Sequence, residues 1–324
     1  MKIIAIEEAV GKQLSHELTG IVPGNNQNIT YLRGYVVKAE DVEILKNMGK
    51  YHVKIIDEDS KLIHENEAAK ILGTKACGNG VTISEPKEGK VHGFADHKGI
   101  LLTSRKKLKS LNMIDGMKVA TKKKYSIVEA GSKVATFSIT PLEIEQELLE
   151  TGVEMLKEPI VEVYPINSLK IGVVTTGREV YEGRIKDAFL PYLQGMLETY
   201  GYQVMEQNIV PDEQSIIRAA VDDFIERDFD LVVLTGGMSV DADDFTLKTV
   251  KEHEKVEMVI YGSPVFPGAM FMAAYYEGKI PLIGLPAGLL RGGMSILDLV
   301  LPLLVAKIKI TKNFIAELGD GGLL

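Results

Sequence analysis

Three glycine-bearing segments carry the residue types that could hold an anion. The first reads Thr175-Thr176-Gly177-Arg178-Glu179-Val180, followed by Gly183 and Asp187. The second reads Thr235-Gly236-Gly237-Met238-Ser239-Val240-Asp241-Ala242-Asp243-Asp244, and the third Gly284-Leu285-Pro286-Ala287-Gly288. Each couples a glycine-permitted turn and exposed backbone N–H groups to the start of a helix, a geometry that binds phosphate without net positive charge. The same residues have plainer uses. Asp244 and Asp187 suit the first turn of a helix, where a carboxylate complements the dipole. Thr235, Ser239 and Thr176 can cap or cradle, and Glu179 can be a solvated loop acid. No G-x-G-x-x-G fingerprint follows the first strand of this region, so a dinucleotide fold of that type is excluded.

Positioning these segments requires elements that end on one edge. After Pro165 the chain alternates strand-like Val/Ile/Leu runs (169–175, 203–210, 231–234, 257–261, 273–276, 281–284) with amphipathic stretches (186–200, 212–227, 244–253, 289–305). That rhythm predicts an α/β fold, a mostly parallel sheet with helices on both faces, whose ligand sits beyond the strand C-termini. Residues 1–140 read differently, as short β pieces broken by glycine (3–5, 35–38, 52–57, 99–103, 118–120, 133–139) with small helices at 41–48 and 65–72. This is a smaller β-rich α+β region with room for two subdomains. Residues 141–165 are expected to connect the halves by a helix and a strand, leaving 166–324 as the α/β domain.

Charge and composition narrow the partners. The 324 residues carry a net charge of −8. The first 165 hold 23 basic and 23 acidic residues and the remainder 14 and 22, so the second half lacks the cations of a nucleic-acid face. The basic runs 105–109 and 122–124 lack interleaved aromatics and read as strand edges guarded by lysine. A single cysteine, Cys77, excludes an internal disulfide and points to a reducing compartment. No apolar run reaches the roughly 20 residues that span a bilayer, and Glu7 and Glu8 interrupt any secretory core, so a cytoplasmic protein without membrane contact is expected. His92 and His97 flank Asp96 without a third good ligand for zinc.

The order of the three loops resembles the molybdopterin-binding domains of the MoeA, MoaB and Mog families. The stretch 231–244 is similar to an SGGVSVG-x-x-D loop, Thr175-Thr176-Gly177 with Glu179 to an S-T-G-D-E segment, and Gly284-Leu285-Pro286 to a GLPG turn. Val265-Phe266-Pro267-Gly268-Ala269 stands where those proteins carry a K-P-G-K-type segment, Arg178 where they carry an aspartate, and Asp241 where they carry a glycine. Residues 34–53 are also similar to the stretch that usually precedes this domain.

The resemblance implies a molybdopterin-binding protein of molybdenum cofactor biosynthesis or handling. It places a pterin phosphate on Thr175, Thr176, Gly177, Thr235, Gly236, Gly237, Ser239, Pro267, Gly268, Gly284, Leu285 and Pro286. A catalytic member would transfer molybdate or tungstate to adenylylated molybdopterin, with Asp244, Asp187 and Glu179 as catalytic carboxylates and Asp244 and Asp187 on Mg²⁺, a hard ion that takes oxygen ligands. The alternatives are a CinA-like nucleotide pyrophosphatase using the Asp243-Asp244 pair, and a non-catalytic binding or regulatory module. The resemblance also implies a homo-oligomer, a dimer in preference to a trimer, with the apolar stretches 265–276 and 297–305 as its surface.

Overall fold

The computed structural model describes residues 2–21, 28–56, 61–140, 142–238 and 245–324. The chain divides into two compact units. One comprises Met1–Asp96, Leu101–Lys124 and Ala130–Val163, the other His97–Ile100, Tyr125–Glu129 and Tyr164–Leu324.

The second unit is built on a six-stranded sheet. Its strands are β1 (Ile171–Thr176), β2 (Glu206–Val210), β3 (Leu231–Thr235), β4 (Val256–Tyr261), β5 (Met272–Tyr276) and β6 (Ile280–Leu285), in the order β2-β1-β3-β6-β5-β4. Strands β2, β1, β3 and β6 run parallel, whereas β5 is antiparallel to both β6 and β4. The sheet is therefore mixed, and the expectation of a mostly parallel sheet holds for one side only. The reason lies in the connections. Only Glu277-Gly278-Lys279 joins β5 to β6, with both Glu277 and Gly278 at positive φ, and three residues form a hairpin but not a crossover.

Helices α1 (Arg178–Tyr181), α2 (Phe189–Glu198), α3 (Gln214–Glu226), α4 (Phe245–Glu252), α5 (Ile296–Val305) and α6 (Lys312–Glu317) complete the unit. Alternation along the central strands divides the core in two. Ile171, Val173, Leu231 and Val233 join the side chains of α2 and α5, while Val174, Val232 and Leu234 join those of α3. Gly172 belongs here for a packing reason, since a Cβ would press within 2.8 Å of the Phe224 ring on α3. Helix α5 starts in a capping box of Ser295 and Asp298 and buries eight of its ten residues. That burial corrects one expectation. Most of 297–305, with Val265 and 271–275, lies in the unit's own core and offers little surface for self-association, which leaves Phe266, Met270 and Met294 exposed.

In the first unit Lys2–Ala5 pairs with His52–Ile55, and Ile4, Ile6, Leu14, Leu45 and Val53 form a small core. A buried carboxylate anchors it. Asp41 accepts hydrogen bonds from Tyr31 Oη at 3.1 Å, Tyr35 Oη at 2.9 Å and the Lys38 N–H at 2.7 Å. A four-stranded antiparallel sheet follows, with the helix Glu65–Ala76 against Lys90–Ala95 and Lys133–Ile139. The helix Gln146–Glu154 and the strand Glu143–Glu145, within the stretch expected to connect the halves, pack inside this unit. Residues 105–112 form a helix rather than the expected strand edge. Ser104 caps it by accepting from the Lys107 N–H, Leu111 is buried, and most of the lysines face solvent.

Candidate functional site

Parallel pairing brings the ends of β1, β3 and β6 to one edge, with Thr175, Thr235 and Leu285 in register. All three are buried, as is Thr176. Buried hydroxyls need partners, and these find one another. The Thr235 hydroxyl donates to Thr175 Oγ1 at 3.1 Å, and Gln207 Nε2 on β2 donates to the same oxygen at 2.8 Å. The second hydrogen of that amide goes to Asp187 Oδ2 at 2.6 Å. On the opposite face Thr176 Oγ1 donates to the Thr235 carbonyl at 3.3 Å and lies 2.9 Å from Thr246 Oγ1.

The network has a direction. A carboxylate only accepts, so Asp187 fixes the Gln207 NH₂ group toward itself and Thr175. Thr175 Oγ1 then accepts twice, and its own hydrogen has no acceptor among the described residues. Asp187 also accepts from the Phe189 and Leu190 N–H groups at 2.8 and 3.1 Å, which makes it the cap that starts α2.

The glycines at the edge differ in what surrounds them. Gly236 and Gly237 adopt φ of 82° and 54°. A Cβ on Gly236 would collide with the Thr176 carbonyl oxygen, and one on Gly237 would come within 2.5 Å of Thr246 Oγ1. Packing alone demands glycine there. A Cβ on Gly177, at φ 137°, would lie in ordinary van der Waals contact, 3.7 Å from Val180 Cγ2 and 3.8 Å from Glu179 Oε2, so no neighbour has to move. Arg178 beside it is exposed and its N–H donates to Asp212 Oδ2 at 2.8 Å. Glu179 is exposed on the short turn α1, and its carbonyl accepts from Arg184 and Ile185.

At the third loop Gly284 is filled by Met238, whose sulfur and methyl occupy the space of a Cβ, and Tyr261 Oη donates to the Met238 carbonyl at 2.8 Å. Leu285 and Pro286 are buried wall. Pro267, after a cis peptide bond, accepts the Ile296 N–H through its carbonyl, and Gly268 packs on the Ile296 side chain. Ser239 and Asp244 lie outside the described residues. Thr175, Thr176, Thr235 and Asp187 thus share one network, and Glu179 stands outside it.

Gln207, Thr246 and Asp212 belong to this edge and are absent from the sequence expectations. Gln207 lies in the polar run Glu206-Gln207-Asn208 of the half-buried edge strand β2, where no local pattern marks its role. Among the described residues no three His, Cys, Asp or Glu side chains gather as a metal cage. Burial pushes the Cys77 thiol up to about 12, so it stays protonated near neutral pH. His92 hydrogen-bonds Thr136, and His97 is half-buried with Nδ1 3.1 Å from the Lys98 carbonyl oxygen. Among the described residues no helix is long and apolar enough to cross a membrane.

Comparison with known proteins bears on this edge. Residues 172–306 match the family model described as "Probable molybdopterin binding domain", and residues 3–57 one described as "Domain of unknown function (DUF8806)". The resemblance expected for 166–324 therefore holds over 172–306. A CinA-like protein of Petrotoga mobilis is 32% identical over 91 residues, 28% of this chain and 22% of that protein. One of Syntrophus aciditrophicus is 35% identical over 82 residues, 25% of this chain and 19% of that protein. The match spans about a fifth of these curated relatives. Among solved structures, the molybdopterin biosynthesis enzyme MoaB of a Thermus species is 21% identical over 42% of this chain and 92% of its own, with a TM-score of 0.36. The Mog protein of Mycobacterium ulcerans is 20% identical over 44% of this chain and 100% of its own, with a TM-score of 0.37.

Proposed function

We propose that the second unit binds molybdopterin in cofactor biosynthesis or handling, with the pterin phosphate at the edge where β1 and β3 end. The observation that carries this reading is the match of residues 172–306 to a probable molybdopterin binding domain. What supports a phosphate there is the uncrowded backbone at Gly177, a Thr175 hydrogen without an acceptor among the described residues, and the exposed Arg178 next in sequence to Gly177. Gly236 and Gly237 shape the turn that leads to Ser239 and Asp244, and Gly284 to Pro286 with Pro267 and Gly268 close the wall.

Binding and presentation of the cofactor suit these residues better than metal insertion. Both oxygens of Asp187 are spent on N–H donors, and Glu179 stands apart, so the described residues do not fit Mg²⁺. The catalytic alternative rests on Asp244. Bound molybdopterin would supply dithiolene sulfurs to a molybdate or tungstate substrate, while the protein's part is to hold the phosphate end. Self-association as a dimer is part of the proposal and would use exposed Phe266, Met270 and Met294. A CinA-like nucleotide pyrophosphatase is the second reading, favoured by the identities to CinA-like proteins.

The test is direct binding of molybdopterin and its adenylylated form to the purified full chain, with metal insertion and ADP-ribose turnover assayed in parallel. We expect pterin binding, no insertion, and little loss in Asp244→Asn, because asparagine caps a helix nearly as well as aspartate. Insertion by the wild type that Asp244→Asn abolishes would make the chain a transferase. ADP-ribose turnover without pterin binding would replace the reading with the second one.

A further inference from the structure

The opposite edge of the same sheet, where β3 and β6 begin, holds a cavity of about 340 Å³ that the pterin reading does not use. Five of the residues that line it are apolar, Phe229, Ile280, Pro281, Leu304 and Ile308, and six are polar or charged. A volume of that order, lined by both hydrocarbon and polar groups, falls in the range of small-molecule sites.

The polar groups decide what kind of molecule would fit. Asp230 is spent, accepting from Lys307 Nζ at 2.8 Å and from the Lys170 N–H at 2.9 Å. Lys279, Lys309 and Asp228 remain, all exposed at the mouth, so the balance is one positive charge. Lys309 Nζ sits 5.6 Å from the centre of the Tyr275 ring. Tyr275 itself is buried, and its hydroxyl oxygen accepts the Ile310 N–H at 2.8 Å. Its phenolic hydrogen has no acceptor among the described residues. Burial raises the pKa of this phenol, so the hydrogen stays in place at neutral pH.

Helix capping does not account for these lysines. The last carbonyls of α3 are taken by the N–H groups of Arg227, Asp228 and Phe229, and those of α5 by Ala306, Lys307 and Ile308. Two cations and the unspent hydrogen of a buried phenol border the cavity; Lys309 rests on the Tyr275 ring and the phenol oxygen accepts from Ile310, which leaves that hydrogen and Lys279 Nζ without a partner among the described residues.

We infer that this cavity is a second ligand site, for a small organic oxyanion with an apolar body, a carboxylate or a phosphate monoester. The body lies between Phe229, Ile280, Leu304 and Ile308, the anionic oxygens face Lys279 and Lys309, and one oxygen accepts from Tyr275. Such a ligand differs from a pterin phosphate in site and in the residues that hold it.

The experiment titrates the full chain calorimetrically with 2-naphthoate, 2-naphthyl phosphate and the uncharged 2-naphthamide. At least one anion is expected to bind about tenfold more tightly than the amide, the scale of a charge-assisted hydrogen bond. The double variant Lys279→Gln/Lys309→Gln should abolish that preference without moving the melting temperature. Tyr275→Phe should weaken the anion, and Ile308→Trp should block all three probes by filling the cavity. Binding of the acid alone or the phosphate alone would narrow the ligand class and support the site. Failure of the wild type to bind either anion, an equal affinity for the amide, or a preference that survives the lysine pair would overturn it, and so would loss of anion binding in Thr235→Val at the far edge. Should Ile308→Trp fail to fold, the exposed lysine variants still decide.

Discussion

Gly177 and Gly236 end neighbouring strands at the same sheet edge, both at positive φ, yet a side chain would meet different things at the two positions. At Gly236 it would run into the Thr176 carbonyl oxygen, whereas at Gly177 the nearest atom is 3.7 Å away. The first glycine is required by the protein's own backbone. The second is not crowded by main chain: only the Val180 and Glu179 side chains stand at ordinary contact distance, and the proposed phosphate approach is there. A glycine in a loop motif therefore says that close approach occurs, and only the structure says whether the approaching group is the chain or a ligand.

The largest effect that tests this contrast is Gly236→Ala. It combines a left-handed backbone with a collision against main chain that cannot rotate away, and should cost about 3 kcal/mol or more of stability. Urea unfolding of the full chain, followed in the transition of the second unit, measures it. A variant as stable as the wild type would mean that the β3 turn is not held as described.

Gly177→Ala should cost less, about 1 to 2 kcal/mol, because only backbone strain opposes it and no neighbour must move. Its effect on molybdopterin phosphate should be larger than its effect on folding, since the new methyl stands where the phosphate is proposed to approach. The check is affinity and unfolding measured on the same preparation. Equal loss at Gly177 and Gly236 in both assays would erase the distinction between the two turns.

How far the sequence foretells these differences depends on what sets each feature. Strands such as Leu231–Thr235 are legible because a strand buried on both faces is an unbroken apolar run, and their order with helices fixes the parallel part of the sheet. The antiparallel part shows the same apolar runs at 256–261 and 272–276, and hydrophobicity carries no strand direction. The three residues between β5 and β6 do carry it, through a connection too short for a crossover. The helix at 105–112 is hidden by its lysines, whose charge draws attention from the capping Ser104 and the buried Leu111. The threonines of the edge are legible from their place at strand ends. Gln207 is not, because its role depends on a hydrogen bond to Asp187, 20 residues away in sequence, that no local pattern announces.

The smallest expected change is also the one that asks whether the threonines serve packing, as Gly236 does, or the ligand, as Gly177 does. Thr235→Val keeps the shape of a fully buried side chain and removes one donor, so the direct loss is a single hydrogen bond, about 1 kcal/mol. Thr175 Oγ1 then accepts only from Gln207, and the direction of its hydrogen is no longer fixed by two incoming donors. If that hydrogen meets the phosphate, molybdopterin affinity should fall several-fold beyond what the stability change explains. Calorimetric binding to the wild type and Thr235→Val, at a temperature where both are folded, reads the difference. Unchanged affinity with the full stability loss would assign the hydroxyls to the interior and leave Gly177 and Arg178 to hold the ligand.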